Sequence, residues 1–279
     1  MPEKTAARSK LSIEGIILGL AIGLVGIVGV YYGSNNWHAP ALASQHGAGI
    51  DAMMLYLVAT TGSMFLIGHL ILGFLIWNGS RKEKVTLRLA SLKTEKFMSV
   101  ALGVLMALIA EGGVVAIGMP VWDEYFMGET PEDALQIDVF AQQFAWNVRY
   151  PGPDGVFGRV DVSLIDEMSN PMGIDHSDAA AVDDVVVINQ FFVPVDRPVQ
   201  ITLRSRDVIH SLFLPNFRVK QDAVPGMSIP VWFVPTEEGR FEVACTELCG
   251  LGHYRMMGFF NVLPQGEFED WLQQQYASN

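Results

Sequence analysis

The chain has 279 residues, half of them hydrophobic, and a formal net charge of −12 at neutral pH. Its mean hydropathy of +0.29 excludes an ordinary soluble globular protein and favours one with membrane-spanning segments. The acidic balance argues against a nucleic-acid partner, because surfaces that bind nucleic acid are rich in Lys and Arg.

Three apolar runs come first in the chain, at residues 11–32, 53–77 and 98–121. Each approaches or exceeds the roughly 20 residues that a helix needs to cross a bilayer. All Lys and Arg residues of this half precede the first run or lie between the second and third, and residues 33–52 have none. The positive-inside rule therefore predicts that the N-terminus and the 78–97 loop are cytoplasmic. Residues 33–52 and everything after residue 122 are then external.

The first run has two interpretations. Its basic start, its apolar stretch and the sequence Ala41-Leu-Ala43 before Ser44 match a cleaved signal peptide. The apolar stretch is longer than a usual signal-peptide core, however, and a gap separates it from Ala41. We therefore favour a retained transmembrane helix. The predicted domains are an N-terminal helix with its external loop, a transmembrane helical hairpin with a basic cytoplasmic loop, and an external domain, at residues 1–52, 53–122 and 123–279.

Two polar residues, His69 and Glu111, lie within the second and third apolar runs. Ionisable side chains at membrane depth usually face a protein interior or a water path. We expect both to form hydrogen bonds between helices rather than to carry protons.

From about residue 136 the pattern changes to short β-type runs separated by Pro, Gly and Asp clusters. This spacing predicts a small β-sandwich or Greek-key barrel. The strand-like runs are at residues 137–148, 185–189, 199–203, 231–234, 240–244 and 259–262. Residues 151–184, rich in Gly, Asp and Met, are predicted to be an insertion or loop, and residues 267–276 a short closing helix.

A twelve-residue stretch holds the only two cysteines of the chain, Cys245 and Cys249, followed by His253 and Met256. Thiolate, thioether and imidazole ligands together suit copper among the first-row metals. A blue-copper site needs one thiolate, two imidazoles and a weak methionine ligand. The second cysteine here supplies a sulfur that can bridge two metals, and His210 is placed to supply the second imidazole. The stretch therefore predicts a two-copper electron-transfer centre.

Zinc binding and a disulfide are two other interpretations of this stretch. Zinc prefers four tetrahedral ligands, usually with closely spaced cysteine pairs, and methionine is a poor zinc ligand. A plain disulfide is open to any exported domain. His253 and Met256, four and seven residues after Cys249, favour a metal site over a disulfide. His210 alone would be an ordinary histidine, and its role depends on the residues around it.

These residues resemble the dinuclear-copper (CuA) domain of haem-copper oxidase subunit II, the cytochrome c oxidase family. The resemblance covers most of the chain: the hydrophobic N-terminal half, Asp207-Val-Ile-His210-Ser, Lys220-Gln-Asp-Ala-Val-Pro-Gly and the cysteine stretch, in the family's order. It implies a membrane α-helical hairpin, of two to three transmembrane helices, followed by an all-β, cupredoxin-like Greek-key domain. It implies as ligands of two copper ions His210, Cys245, Glu247 through its backbone carbonyl, Cys249, His253 and Met256.

The resemblance also implies roles outside the copper ligands. The Glu247 carboxylate would reach a magnesium ion shared with subunit I. Glu95 resembles the glutamate through which this subunit feeds protons to a channel in subunit I. Phe144 aligns with the position where the family usually has a tryptophan for electron uptake, and Trp146 follows two residues on. Packing in a sandwich core is the ordinary explanation for Trp146.

The function implied by the resemblance is that of a respiratory terminal oxidase subunit. It would accept electrons from cytochrome c and pass them to haem in subunit I, where oxygen becomes water, so no catalytic residue is expected in this chain. Its partners would be subunit I, other oxidase subunits and the lipid of a bacterial inner membrane, with the copper domain on the periplasmic side. A CuA subunit of a nitric oxide reductase-type enzyme and a copper-binding assembly protein remain alternatives.

Overall fold

The computed structural model describes residues 13–36, 38–80 and 91–278. The basic residues on which the predicted topology rests lie outside these ranges, except Lys93 and Lys96. The helices are α1 (Ile13–Asn36), α2 (Gly47–Ser80), α3 (Leu92–Met106), α4 (Gly112–Trp122) and α5 (Gln265–Ser278). π-helical turns at Ala107–Glu111 and Asp123–Met127 continue α3 and α4, so that one helical span runs from Leu92 to Met127.

Three helical stretches are long and apolar enough to cross a membrane: Ile13–Asn36, Gly47–Ser80 and Leu92–Met127. Each overlaps one predicted apolar run. Most of their large apolar side chains are exposed in the isolated chain. Because such surfaces are stable only against lipid or other protein, these stretches confirm the prediction of a membrane protein.

Glycines allow α1 to approach α2 closely. A Cβ atom at Gly19 would lie 2.6 Å from the Gly73 carbonyl oxygen, and one at Gly26 would lie 2.6 Å from Cβ of His69. Small residues of this kind permit close packing of membrane helices. His69 donates from Nδ1 to the Phe65 carbonyl oxygen at 2.8 Å. The polar side chain predicted in the second run is therefore placed at the contact with α1 of the same chain.

The span Leu92–Met127 contacts α2 through one face. The Tyr56 hydroxyl of α2 donates to the Ile109 carbonyl, and the same ring lies against Gly113. Glu111 lies between Ile109 and Gly113, two residues from each. It is therefore on the opposite face of the helix, where it is exposed.

Ten strands in the described residues form two five-stranded sheets. The strands are β1 (Leu135–Gln142), β2 (Ala145–Tyr150), β3 (Val185–Ile188), β4 (Gln190–Pro194), β5 (Val199–Ser205), β6 (His210–Leu214), β7 (Val219–Ala223), β8 (Ile229–Phe233), β9 (Gly239–Cys245) and β10 (Met257–Leu263). The sheet orders are β3-β2-β1-β5-β8 and β4-β10-β9-β6-β7. Pairing is antiparallel except for β1 with β5 and β4 with β10. The predicted run 137–148 divides into β1 and β2, whereas β4, β6 and β7 have no counterpart among the predicted runs.

The core lies between the two sheets. Along β5, Val199, Ile201 and Leu203 are fully buried and the residues between them are less so, which is the alternation expected of a sandwich strand. At the centre of the core the Phe217 ring contacts Phe233 and Phe260, with ring centroids 5.4 and 4.9 Å away. Apolar helices followed by an all-β domain confirm the predicted fold class.

The chain divides into two compact units, one of residues up to Ala39 with Ala52–Met119 and one of Pro40–Asp51 with Pro120–Asn279. The short segment Pro40–Asp51 therefore belongs with the β-sandwich. The Ala43 backbone bonds to Asn216 and Thr236 at 2.8 and 2.9 Å, and its side chain is buried. Ala43 is thus part of the β-sandwich unit, and retention of the first run as a helix stays a prediction.

His46 lies in the same segment, and its burial is expected to make the folding stability of the β-sandwich unit sensitive to acid. Its buried ring packs edge-on against Tyr125 and Trp232, and its Nε2 lies 3.6 Å from a Glu124 carboxylate oxygen. Burial lowers the pKa of His46, and the Glu124 charge offsets this only in part. The unfolded histidine binds a proton below about pH 6.5, whereas the folded one resists it, so stability is lost as the pH falls through that range.

We therefore expect His46→Phe to reduce the loss of unfolding free energy between about pH 7.5 and 5. The matched control is His176→Phe, because His176 is exposed. Chemical unfolding of the full chain in detergent at a series of pH values measures both variants. If His46→Phe and the wild type lost stability equally as the pH falls, His46 would not be the source of the acid sensitivity.

Candidate metal centre

Strand pairing brings His210 next to the cysteine stretch. His210 begins β6, and Leu212, two residues later, pairs with Cys245 at the end of β9. The Cys245 backbone N–H donates to the Met256 carbonyl at 3.1 Å and so closes the loop that carries the other predicted ligands. β6, β9 and β10 thus assemble the site on a rigid sheet, and the loop between β9 and β10 encloses it.

The first group of donor atoms surrounds the Cys245 sulfur. This atom lies 3.9 Å from the Cys249 sulfur, 4.0 Å from Nδ1 of His210 and 3.3 Å from the Glu247 carbonyl oxygen. The ligand atoms of His210, Cys245 and Cys249 all lie within 4.8 Å of one another. The two cysteines are free, so the structure does not contain the disulfide that the sequence left open.

The second group surrounds the Cys249 sulfur, which lies 3.6 Å from Nδ1 of His253 and 3.7 Å from Sδ of Met256. Two ligand atoms that are each about 2.0–2.3 Å from one metal ion stand roughly 3.5 Å apart. The observed separations of 3.3–4.0 Å match this value. The structure therefore brings together all six predicted ligands, and their sulfur, imidazole and carbonyl donors fit copper.

The two thiols differ in acidity. Burial raises the pKa of Cys245, but hydrogen bonds from His210 and from the Ser211 backbone outweigh this effect and leave the pKa below its usual value. Burial and the neighbouring Cys245 charge raise the pKa of Cys249. The pair thus releases one proton readily and holds the second. A metal cation replaces that second proton when both thiolates bind it.

Asp207, three residues before His210, contacts the imidazole of that residue. One of its carboxylate oxygens lies 2.7 Å from Nε2 of His210. Burial lowers the pKa of His210, but bonds to Cys245 and Asp207 outweigh it and the pKa is raised. A partner on one ring nitrogen fixes the orientation of the other, so Nδ1 is held toward the sulfur atoms. The available signal was the carboxylate three residues before the histidine.

Two glycines shape the loop around the site. Gly250 has φ +136°, a conformation that residues with a Cβ rarely adopt. A Cβ at Gly252 would overlap the Phe144 ring. The loop therefore passes directly over the turn between β1 and β2.

Of the two aromatic residues predicted for electron uptake, Phe144 lies in this turn and Trp146 lies in β2. Phe144 is half-buried against the loop glycines, with the Arg255 guanidinium carbon 5.7 Å from its ring centroid. Trp146 is fully buried, and its ring centroid lies 6.2 Å from that of His210. Trp146 is thus a core residue that also neighbours a predicted ligand.

The remaining predicted residues lie at the surface. The Glu247 side chain is exposed, so its carboxylate faces away from the sulfur atoms that its carbonyl approaches. Glu95 lies in the first turn of α3, in the helical unit, and is exposed. Ser91 caps that turn, because its hydroxyl oxygen accepts a hydrogen bond from the Thr94 backbone N–H at 3.2 Å.

The chain is similar to proteins that are named as subunit II of cytochrome oxidase. The family model described as cytochrome c oxidase subunit II, periplasmic domain, matches residues 135–261. The alternative cytochrome c oxidase subunit 2 of Bradyrhizobium diazoefficiens is 33% identical over 95% of this chain and 92% of its own length. The cytochrome c oxidase subunit 2 of Synechocystis is 26% identical over 94% of this chain and 83% of its own. The crystal structure of the periplasmic domain of subunit II of cytochrome oxidase from Bradyrhizobium japonicum is 29% identical, covers 54% of this chain and 99% of that one, and has a TM-score of 0.40.

Proposed function

We propose a function from one premise: this chain belongs to the cytochrome c oxidase subunit II family. It is a subunit of a haem-copper oxidase, an oxidoreductase complex that includes subunit I. We propose further that the chain takes electrons one at a time from cytochrome c and delivers them to haem in subunit I, where oxygen is reduced to water. The chemistry at oxygen then belongs to subunit I.

The observation that carries this proposal is the set of donor atoms around the two cysteine sulfurs. His210, Cys245, Glu247, Cys249, His253 and Met256 are the proposed ligands of two copper ions. A copper pair bridged by two thiolates supplies a one-electron centre in which the charge is shared and the bond lengths change little. The rigid strands β6, β9 and β10 hold the donors in place, and burial of the cysteines keeps water from them.

The loop surface supports docking of a protein electron donor. Leu248, Leu251 and Tyr254 are 79%, 99% and 85% exposed, although they are apolar side chains of a domain in water. Apolar side chains that project in this way are typical of interaction sites. Residues 123–279 contain 24 acidic and nine basic residues, so a basic donor such as cytochrome c would be attracted to this unit.

Phe144 and Trp146 are proposed to carry the electron inward. Phe144 contacts the loop that projects toward the donor, and Trp146 packs next to the His210 ring. Phe144 replaces the tryptophan usual in the family, so the donor contacts an aromatic ring without an indole N–H at this position.

Three further residues are proposed to act together with subunit I. The exposed Glu247 carboxylate is proposed to contribute to a shared magnesium site, and Glu95 to admit protons at the cytoplasmic end of α3. Glu111 is proposed to form a hydrogen bond with subunit I, because it faces away from α2 at membrane depth. The proposed location is a bacterial inner membrane, with the unit that follows residue 122 on the periplasmic side.

Copper stoichiometry tests the proposal. The full chain, purified alone in detergent and loaded with copper under reducing conditions, is expected to retain two copper ions per chain after dialysis. Partial oxidation should give the purple, mixed-valence spectrum of a pair that shares one unpaired electron. A single, labile copper ion would contradict the proposal and favour a copper-delivery protein.

A further inference from the structure

Gln143 lies in the turn between β1 and β2 and contacts both segments that carry the proposed ligands. Its backbone N–H donates to a carboxylate oxygen of Asp207 at 2.7 Å. The other oxygen of that carboxylate lies 2.7 Å from Nε2 of His210. The Gln143 side-chain amide donates to the Cys249 carbonyl. One residue therefore connects the His210 segment to the Cys249 loop.

The loop is shaped to admit this side chain. A Cβ atom at Gly250 would lie 2.6 Å from Nε2 of Gln143, and Gly250 has φ +136°. A residue with a Cβ would therefore displace the amide as well as strain the loop. Gln142, the adjacent residue, makes a different contact: its side-chain oxygen accepts from Arg206 at 3.0 Å. Of the two neighbouring glutamines, only Gln143 thus bonds to the loop between β9 and β10.

We propose that Gln143 is a positioning residue that fixes the spacing between His210 and Cys249 in the copper centre. It acts through its bonds to Asp207 and to the Cys249 carbonyl. Partners of metal ligands typically contribute about 10- to 100-fold to metal affinity, because they restrict the ligands to the geometry that the metal needs. The proposal rests on the proposed function, since it requires a copper centre between these segments.

Gln143→Leu and Gln142→Leu form a matched pair, because the same chemical change is made at adjacent positions. Copper release from the full chain to an excess of chelator, and the near-infrared absorption of the paired centre, are measured for each. Gln143→Leu is expected to release copper about tenfold faster than the wild type and to shift the absorption. Gln142→Leu is expected to match the wild type in both.

Gln143→Glu distinguishes loss of the hydrogen bond to Cys249 from a folding defect. Glutamate has the shape of glutamine, but its carboxylate cannot donate to the Cys249 carbonyl. We expect it to release copper as fast as Gln143→Leu while its thermal unfolding stays near that of the wild type. Wild-type release and absorption in Gln143→Glu, or equal behaviour of the two leucine variants, would overturn the proposal. A wild-type chain that binds no copper pair would instead overturn the proposed function, and this proposal with it.

Discussion

Cys249→Ser is expected to abolish the proposed paired copper centre. The Cys249 sulfur lies within 4 Å of three other donor atoms, those of Cys245, His253 and Met256, and so joins the two groups of donors. A serine hydroxyl is a hard ligand that stays protonated at neutral pH and does not replace a bridging thiolate on copper. We expect the mixed-valence spectrum to disappear and electron uptake to fall by more than the roughly 100-fold typical of residues outside the ligand set.

The fold should survive this change. The β9–β10 pairing and the bond from the Cys245 backbone to the Met256 carbonyl do not use the Cys249 side chain. The matched control is Thr246→Ser, which removes a methyl group from an exposed residue of the same loop and should leave copper content unchanged. Copper content, absorption and stopped-flow reduction by a cytochrome c measure the effect. Rapid electron uptake in Cys249→Ser would contradict the assignment of Cys249 as a bridging ligand.

The grouping of donor side chains in the loop between β9 and β10 could be predicted because its signal is local. Cys249, His253 and Met256 stand four and three residues apart, and such spacing needs no knowledge of the fold. His210 is different, since it reaches Cys245 only through the pairing of β6 with β9. Its place beside Cys245 could not be derived from local spacing, because no strand was predicted at that position.

What could not be predicted depends on contacts between distant parts of the chain. β4 pairs with β10, about 70 residues further on, so its pattern is set by a partner that the local sequence does not reveal. Pro40–Asp51 packs on the β-sandwich through bonds such as that of Asp51 with Arg218, 167 residues away. Gln143 likewise bonds to Cys249 across 106 residues. A glutamine in a turn gives no sequence signal for such a contact.

Residues 151–184 contain isolated bridges but no strand, which agrees with the predicted loop. The buried ion pair that holds this segment was not predicted. Arg149, at the end of β2, donates to the Asp184 carboxylate and, at 2.6 Å, to the Gly158 carbonyl. Both charged side chains are 1% exposed. The Gly158 backbone N–H donates to the same carboxylate at 3.1 Å. Both ends of the predicted insertion are thereby attached to β2.

Arg149→Met is accordingly expected to destabilise the β-sandwich unit by about 3–5 kcal/mol, the usual cost of leaving one buried charge without its partner. The matched control is Arg159→Met. The Arg159 guanidinium pairs with Asp175 and Asp178 in the same segment but is 72% exposed, so its loss should change stability little. Chemical unfolding of the full chain in detergent, followed by tryptophan fluorescence, gives both values.

The double variant Arg149→Met/Asp184→Leu separates the buried charge from the packing around it. If the cost arises from an uncompensated carboxylate, removing that carboxylate should restore much of the lost stability, because apolar pairs often replace buried ion pairs without loss. If the cost arises from packing, the double variant should be no more stable than Arg149→Met. A loss below about 1 kcal/mol in Arg149→Met, comparable to an exposed pair, would show that this ion pair does not hold the segment.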